Sequence, residues 1–496
     1  MIQTHGASHD RPSAMGQEVH PDHLQLIRAL DEAPMHLHHY LAWGMSSGGT
    51  LLDGTALFML GIAIPLLSLD MALSTLQVGL LGAALVAGAV IGASSGGWAA
   101  DRVGRKLVFL LDMGLLALAA ALGAFAWAPW VLIGSQLLIG VGIGMDFPVS
   151  SSYVAECMPH SSRSRMMVAT IACQSVGMLL AAVLALSLLH LSASPHVWRL
   201  FFASEAILAV LFLLARLRLP ESPRWLMGHG RNLEAVHALG ALIPQDRQML
   251  ETLAARLGRE VHHVAKVPRQ AKPMSYGVLF QAAYLRRTLL STLPWFLMDI
   301  ATYGVGLFTA VLLAAMRFDK AAVKPIVRVE SVASSSGVID IFLLLGFLVG
   351  LWAVARFGRI RMQMIGFAGM VLGMGVLLSS TLPPGGAGQH IALVFAGFVL
   401  FNLSMNMGPN STTYILPVEL FPTQVRATAA GFAAASAKVG ATLGVFLLPL
   451  LKAKLGVPAV LGLMAGVCLL GLTSTWLFRV EGQGLTLEQH QAPDLP

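Results

Sequence analysis

Three aspartates stand inside long apolar segments, where a charged side chain is costly. Asp53 lies in LLDGTALFMLG, Asp146 in GIGMDFPVS and Asp299 in WFLMDIATYG. A carboxylate deep in a bilayer costs about 2.5 to 3.5 kcal/mol even on lenient insertion scales, so such a residue is first a candidate functional group. Burial and neighbouring acids favour the protonated form of a carboxyl group. All three aspartates are therefore candidates for proton coupling.

Each aspartate also has a simpler interpretation, which is pairing with a helix N-terminus or with a buried hydroxyl group. Three further acids, Asp112, Glu205 and Asp340, lie nearer to the ends of apolar segments. At those positions a structural pairing or a gate pairing is favoured over proton transfer.

Other polar residues of the apolar segments could hold a negatively charged solute. The neutral hydrogen-bond donors are Gln174, Trp295, Tyr303 and Asn410, and the positive charge is Lys438. The four-residue spacing of Trp295, Asp299 and Tyr303 places these side chains on one helical face. Two alternatives stay open, because Trp295 could serve packing and Lys438 could snorkel or pair with an acid such as Asp53.

Composition indicates what kind of protein carries these residues. The 496 residues are 56% hydrophobic and 11% charged, with a mean hydropathy of +0.72, which is too apolar for a soluble domain. The apolar segments suit membrane-spanning helices and lack the alternation of barrel strands, so we expect an all-α membrane protein. The net charge of +7 reflects Lys and Arg between these segments, where membrane orientation explains them better than nucleic acid. Cys157, Cys173 and Cys468 have no metal-ligand spacing and predict no disulfide framework.

Twelve apolar segments predict twelve transmembrane helices in two six-helix bundles. The segments lie near 47–69, 76–97, 107–127, 131–155, 166–191, 198–217, 288–316, 337–355, 361–381, 391–414, 427–451 and 456–478. The predicted organisation is a polar, histidine-rich tail (1–46), an N-terminal bundle (47–217), a basic central linker (218–287), a C-terminal bundle (288–478) and a second tail (479–496). We expect no cleavable signal peptide, and an N-terminal tail that is unstructured or helical at the surface.

Basic residues give the expected orientation. They are concentrated in the 2–3, 4–5, 6–7, 8–9 and 10–11 loops, which places those loops and both termini in the cytoplasm. The basic 7–8 loop, around Arg317 and Arg328, is an exception diluted by acids. Two halves of equal orientation imply a pseudo-two-fold axis along the membrane normal and a central cavity, which is the architecture of a carrier.

A turn with the pattern Glu-x2-Pro-x3-Arg occurs once in each half, which indicates a duplication. We expect these turns and the nearby basic loops to form a cytoplasmic gate that closes the outward-facing state. The predicted gate residues are Asp101, Arg102, Arg105, Glu156, Arg163, Arg356, Arg359, Glu419 and Arg426. The alternative is a loop anchor with orientation charges, since exposed pairs contribute only about 0 to 1 kcal/mol each.

Several motifs resemble a known family. The segment GWAADRVGRK (97–106) matches the GxxxDRxGRK signature of the major facilitator superfamily, and PESPRWL (220–226) looks like the segment after helix six of its sugar-porter-like branch. The segments around Asp146 and Asp299 and the stretch 408–441 look like helices four, seven and ten to eleven of the phosphate:proton symporters. The resemblance covers about 47–480. It implies a phosphate and proton site at Asp146, Gln174, Trp295, Asp299, Tyr303 and Asn410.

Two departures from that family bear on function. Where it usually has Gly-Asp-Tyr in helix four, this chain has Met145-Asp146-Phe147, which removes a phenolic hydroxyl expected to contact phosphate and makes Phe147 an expected substrate-binding residue of different chemistry. The second half has Ala355 where the first half has Asp101, so the two cytoplasmic latches are expected to differ in strength.

The expected function is proton-coupled uptake of a small polar or anionic solute, with inorganic phosphate the leading substrate. An alternative is symport of an organic acid or a sugar-like metabolite, and a minor alternative is a transporter-like nutrient sensor. We expect no enzyme activity, no cofactor or metal and no nucleic-acid partner, with protons as the coupling ion. The carrier is expected in the plasma membrane, which in a bacterium is the inner membrane. It is expected to be a monomer.

Overall fold

The structure is a computed structural model that describes residues 21–192, 194–263, 275–315, 325–381, 390–480 and 487. The regular secondary structure of these residues is helical. Before the linker the helices are α1 (Pro21–Glu32), α2 (Leu37–Ser46), α3 (Gly48–Asp70), α4 (Thr75–Val103), α5 (Arg105–Ala124), α6 (Pro129–Cys157), α7 (His160–Leu191) and α8 (Trp198–Arg216). The linker contains α9 (Pro223–Gly228), α10 (Asn232–Leu242) and α11 (Arg247–His263). The second half contains α12 (Ala282–Ala315), α13 (Pro325–Phe357), α14 (Arg359–Ser379), α15 (Ile391–Met407), α16 (Pro409–Leu420) and α17 (Arg426–Phe478).

The described residues contain 11 spans that are long and apolar enough to cross a membrane. The predicted seventh segment corresponds to α12, whose side chains from residue 303 onward lie outside the described part of the chain. The first span begins at Leu37 rather than near residue 47, because α2 and α3 form one nearly continuous helix. The architecture agrees with the predicted all-α membrane fold.

The helices pack as two bundles that meet along two seams. Within the halves, α4 packs against α6 and α12 against α17. Between the halves, α4 packs against α17 and α7 against α13. We call the side of the bundle that carries the linker the linker end; it comprises the ends of α4, α6, α8 and α16 and the starts of α5, α7, α14 and α17.

The tenth span is broken at Gly408 and Pro409, as the sequence predicts. Gly408 has φ −117° and ψ −100°, and a Cβ there would lie 2.5 Å from the Met362 carbonyl oxygen. Proline at the first position of α16 restarts the helix, since its missing N–H would have no helical partner there. The carbonyl of Asn406, freed by the break, accepts a hydrogen bond from the Ser411 hydroxyl over 2.5 Å.

Part of the N-terminal tail is a surface helix, one of the two predicted forms. Leu26 and Leu30 of α1 are buried, and α1 packs against α7 and α10 at the linker end. The histidines before residue 21 and most of the C-terminal tail lie outside the described residues.

Candidate functional site

The centre of the molecule holds Asp53 and Lys438, contributed by opposite halves. Asp53 of α3 is 3% exposed, and its Oδ2 accepts a hydrogen bond from Nε2 of Gln174 on α7 over 2.6 Å. Asp53 and Lys438 line one cavity of about 10 Å³ together with six uncharged residues. That volume holds about one water molecule.

Lys438 connects three of the predicted site residues. It interacts electrostatically with both Asp53 and Asp299, which lie on different halves. Its Nζ lies 5.1 Å from the centre of the Phe147 ring, within the range of a cation–π contact. Lys438 thus lines the cavity together with Asp53, and its expected role in binding the solute stays a prediction.

Asp146 has a partner that the sequence analysis missed. Arg216, at the end of α8, donates from Nη2 to Asp146 over 2.5 Å and from Nη1 to Asp112 over 2.9 Å. All three side chains are fully buried. Arg216 also donates to the carbonyls of Met45 and Ser46, at the junction of α2 and α3. One guanidinium group thus binds two carboxylates. The second of them, Asp112, is one of the acids near the ends of apolar segments for which a structural or gate pairing is expected.

The remaining predicted binding residues are placed as follows. Trp295 is buried on α12, one helical turn before Asp299. Asn410 is half-buried and its amide donates to the side-chain oxygen of Asn406 over 2.8 Å, just beyond the helix break. The side chain of Tyr303 lies outside the described residues.

A tyrosine from the broken span joins the two halves beside the site. The ring of Phe147 meets that of Tyr414 edge-on, with centroids 6.2 Å apart and an interplanar angle of 78°. The Tyr414 hydroxyl shares a 3.0 Å hydrogen bond with Ser150 on α6. The phenolic hydroxyl that is absent at Phe147 is therefore present nearby on the opposite half, at Tyr414, which is not among the predicted site residues.

The linker end holds a buried network between the halves. Glu156 Oε1 accepts from Arg105 over 2.8 Å and from Arg426 over 2.9 Å, and all three side chains are fully buried. Asp101 accepts from the Thr428 N–H and hydroxyl, both over 2.7 Å. Asp101 thereby caps the N-terminus of α17 in the other half, where a carboxylate is favourable.

Arg359 makes a second connection between the two halves at the linker end. Arg359 donates to Glu419 over 2.6 Å and to the Ser164 hydroxyl of the first half over 2.5 Å. Ala355 offers no carboxylate where the first half has Asp101. The two latches thus have different partners, and their expected difference in strength stays a prediction.

Three of the predicted gate arginines have other partners in this conformation. Arg102 stacks on the exposed ring of Trp98 with 3.9 Å to the centroid, and Arg356 lies 5.7 Å from the centroid of exposed Trp352. Both arginines lie four residues after their tryptophan, which places each pair on one outer helix face. Arg163 pairs with Asp31 of α1 over 2.5 Å rather than with Glu156.

Asp31 lies outside the membrane-spanning helices and accepts two guanidinium groups. Arg224 donates to its Oδ2 over 2.8 Å, while Arg163 donates to Oδ1. Burial raises the pKa of Asp31, but the charges of Arg224 and Arg163 outweigh burial and hold the pKa below its usual value. Asp31 is therefore charged at neutral pH and fastens α1 to the linker end.

Comparisons with known proteins agree on the class of protein. Residues 35–492 match the profile of the family described as "Sugar (and other) transporter". The inner membrane metabolite transport protein YgcS of Escherichia coli (strain K12) is 30% identical over 470 residues, or 92% of this chain and 95% of that protein. The probable inorganic phosphate transporter 1-12 of Oryza sativa subsp. japonica is 29% identical over 529 residues, or 94% of each chain. The structure of the proton:xylose symporter XylE, of the major facilitator superfamily, bound to 6-bromo-6-deoxy-D-glucose aligns with a TM-score of 0.73 at 20% identity, covering 91% of this chain and 98% of that one.

Proposed function

Because this chain belongs to the sugar (and other) transporter family, we propose that it imports a small polar or anionic solute together with protons, with inorganic phosphate the leading substrate. The family makes the protein a multi-pass membrane transporter that binds a small molecule, and not an enzyme. Beyond the family, we propose the solute, the coupling ion, the direction of transport, the location in the plasma or inner membrane and the monomeric state.

The charge balance of the buried centre carries this proposal. Four carboxylates, those of Asp53, Asp112, Asp146 and Asp299, face two cations, Arg216 and Lys438. An uncompensated buried charge is strongly destabilising, so neutrality of the group takes two protons. When Asp53 or Asp299 gains or loses a proton, the negative charge that neutralises Lys438 changes.

Lys438 is the group through which solute and proton binding are coupled. When Asp53 and Asp299 are charged, they neutralise the ammonium group and repel an anion. Protonation of either carboxyl group releases part of the Lys438 charge, so an anion binds more tightly in the protonated site. Reciprocity then requires that a bound anion favours proton uptake, which is the thermodynamic basis of symport.

If the carrier accumulates a monovalent anion against the membrane potential, at least two protons must enter with it. A monovalent anion that enters with one proton is electroneutral and gains nothing from the membrane potential. A second proton adds one net charge, worth about 2.3 kcal/mol at 100 mV, or roughly 40-fold accumulation. Two protons per turnover match the two that neutralise the buried group.

The network at the linker end gives the proposed alternating access its inner gate. Direct contact between α4 and α17, with Glu156 bound to Arg426, closes this end, which we assign to the cytoplasm. Opening it separates Asp101 from the start of α17 and Ser150 from Tyr414. Solute release on that side therefore requires these cross-half bonds to break together.

A second candidate is symport of an organic acid or sugar-like metabolite. Phe147 presents an apolar ring beside Lys438 where a phenolic hydroxyl is expected for phosphate, which favours a solute with some apolar surface. The similarity to a metabolite transporter at 30% identity supports the same alternative.

Uptake of labelled phosphate into proteoliposomes tests the proposal. An inward proton gradient is expected to drive uptake, and a membrane potential that is negative inside is expected to increase it at fixed pH gradient. Uptake that ignores the potential would contradict two-proton coupling. If phosphate is not taken up while an organic acid or sugar elicits proton uptake, the second candidate replaces the first. Flux in pure proteoliposomes also argues against a nutrient sensor.

A further inference from the structure

The two Glu-x2-Pro-x3-Arg turns are equivalent in sequence but have different partners. In the second turn, Arg426 crosses to the other half and donates to Glu156 over 2.9 Å. In the first turn, Arg163 donates to Asp31 over 2.5 Å and to the Met158 carbonyl over 3.3 Å. The N-terminal helix α1 therefore holds the arginine whose counterpart joins the halves.

Glu419 is the acid that the pseudo-symmetry assigns to Arg163, and it is joined through Arg359 to the residue after Arg163. The hydroxyl of Ser164 accepts a hydrogen bond from Arg359 over 2.5 Å, and Arg359 donates to Glu419 over 2.6 Å. Glu419 is the counterpart of Glu156 in the repeat. The guanidinium group of Arg359 thus links the Ser164 hydroxyl to the carboxylate of Glu419.

Three mostly buried charged side chains join α1 to the linker end. The side chains of Asp31, Arg163 and Arg224 are 9%, 3% and 2% exposed. Each oxygen of Asp31 takes one guanidinium group, and Arg224 also donates to the Glu156 carbonyl over 3.0 Å. Such charge-assisted bonds in a mostly buried place hold their partners far more firmly than surface ion pairs do.

We infer that Asp31 is a positioning residue that weakens closure of the linker end by withholding Arg163 from Glu419. With Asp31 charged and α1 in place, the closed end contains the Arg426 pair but not its symmetrical counterpart. Without the Asp31 carboxylate, Arg163 pairs with Glu419, and the closed conformation gains a second ion pair between the halves. The N-terminal helix thereby sets how readily the gate opens. The inference rests on alternating access by the proposed carrier, but not on its solute or coupling ion.

A distance measurement between the halves tests this role in the full-length protein. Spin labels are attached at Ser161→Cys and Arg361→Cys, two exposed positions at the linker end of opposite halves, with Cys157, Cys173 and Cys468 replaced by alanine. The protein is reconstituted in lipid nanodiscs without solute at neutral pH. Pulsed electron resonance then gives the ratio of short to long distances, which reports closed against open linker ends.

Asp31→Asn is expected to raise the closed-to-open ratio at least about fivefold, the lower end of typical coupling between sites. Glu32→Gln is the matched control, because it removes the adjacent, exposed carboxylate of the same helix and is expected to leave the ratio unchanged. The increase is expected to vanish when Asp31→Asn is introduced into a Glu419→Gln background. A merely structural role for Asp31 would not depend on Glu419.

Arg163→Gln provides an independent test if Asp31→Asn folds poorly. Because Arg163 is held by Asp31 in the native protein, its loss is expected to leave the ratio unchanged. The inference is overturned if Arg163→Gln opens the linker end, if Asp31→Asn leaves the ratio unchanged or lowers it, or if its effect persists without Glu419. These distances are read without transport, so a wrong assignment of solute or coupling would not mimic any of these results.

Discussion

Gly97 and Gly431 let helices of opposite halves touch at the linker end, and enlarging Gly97 tests whether that contact belongs to one conformation. A Cβ at Gly97 of α4 would lie 2.1 Å from the Ala427 carbonyl oxygen of α17, and one at Gly431 would lie 2.3 Å from the Ala93 carbonyl oxygen. In the proposed alternating access α4 and α17 separate when the linker end opens, so Gly97→Ala is expected to disfavour the closed conformation.

The size of the effect follows from that clash. Real Cβ atoms essentially never approach another atom closer than 3.0 Å, and the added methyl at 2.1 Å falls short by 0.9 Å. Adding a methyl group to a close-packed contact costs about 1 to 3 kcal/mol. Because the cost falls on the closed conformation, the closed-to-open ratio is expected to drop roughly 5- to 150-fold.

The spin-label pair at Ser161 and Arg361 measures this ratio, and Gly92→Ala provides the matched control. A Cβ at Gly92 would lie 2.1 Å from the Val141 carbonyl oxygen, but α4 and α6 belong to the same half. This control is expected to destabilise the closed and open conformations equally. It should therefore lower the unfolding temperature of the protein while leaving the closed-to-open ratio nearly unchanged.

Two results would refute this reasoning. One is an unchanged ratio in Gly97→Ala, which would mean that the α4–α17 contact persists in the open conformation. The other is an equal fall of the ratio in Gly92→Ala, which would mean that any loss of helix packing opens the molecule.

Three further changes test other parts of the account. Tyr414→Phe removes the 3.0 Å bond to Ser150 but keeps the ring, so the closed-to-open ratio in the spin-label assay is expected to fall about two- to tenfold; an unchanged ratio would contradict a gate role. Arg216→Met leaves two buried carboxylates without their cation and is expected to cost about 3 to 5 kcal/mol of unfolding free energy. Adding Asp112→Asn should restore part of that loss, and no recovery would argue against the shared guanidinium. Because the pKa of Asp31 is lower in the folded protein than its usual 3.8, its ion pairs stabilise the protein above about pH 4, and this contribution is lost as pH falls through the lowered pKa. The difference in unfolding temperature between wild type and Asp31→Asn should therefore be constant from about pH 5 to 8 and shrink below about pH 4, whereas a difference that grows in acid would contradict the ion pairs.

Local sequence signals were sufficient for the spans, the helix break and the central acids. A carboxylate within an apolar segment marks a buried charge wherever the chain folds, which is why Asp53 and Asp299 could be found without a structure. The Gly408-Pro409 pair breaks a helix by its own conformational limits, so its effect was also predictable.

Partners that come from distant segments could not be predicted in this way. Arg216 is one of several bases where the sixth span meets the linker, and spacing alone does not tell which of them turns inward to Asp146. Asp31 lies in a polar tail whose docking depends on burial of Leu26 and Leu30 and on packing of α1 against α7 and α10. For Arg102 the sequence predicts a place in the gate. In the structure Arg102 instead stacks on Trp98, one helical turn earlier, on the outer face of α4.

Gradient-driven uptake and solute exchange, compared for wild type and Asp299→Asn, decide whether Asp299 carries a proton during transport. An asparagine mimics the protonated aspartate but cannot release a proton, so the variant is expected to exchange labelled for unlabelled phosphate across proteoliposomes while losing accumulation driven by a proton gradient. Accumulation by the variant equal to that of wild type would contradict the assignment of Asp299 to proton coupling. Exchange and accumulation that are both absent in wild type, for phosphate as well as for organic acids and sugars, would contradict the proposed transport itself.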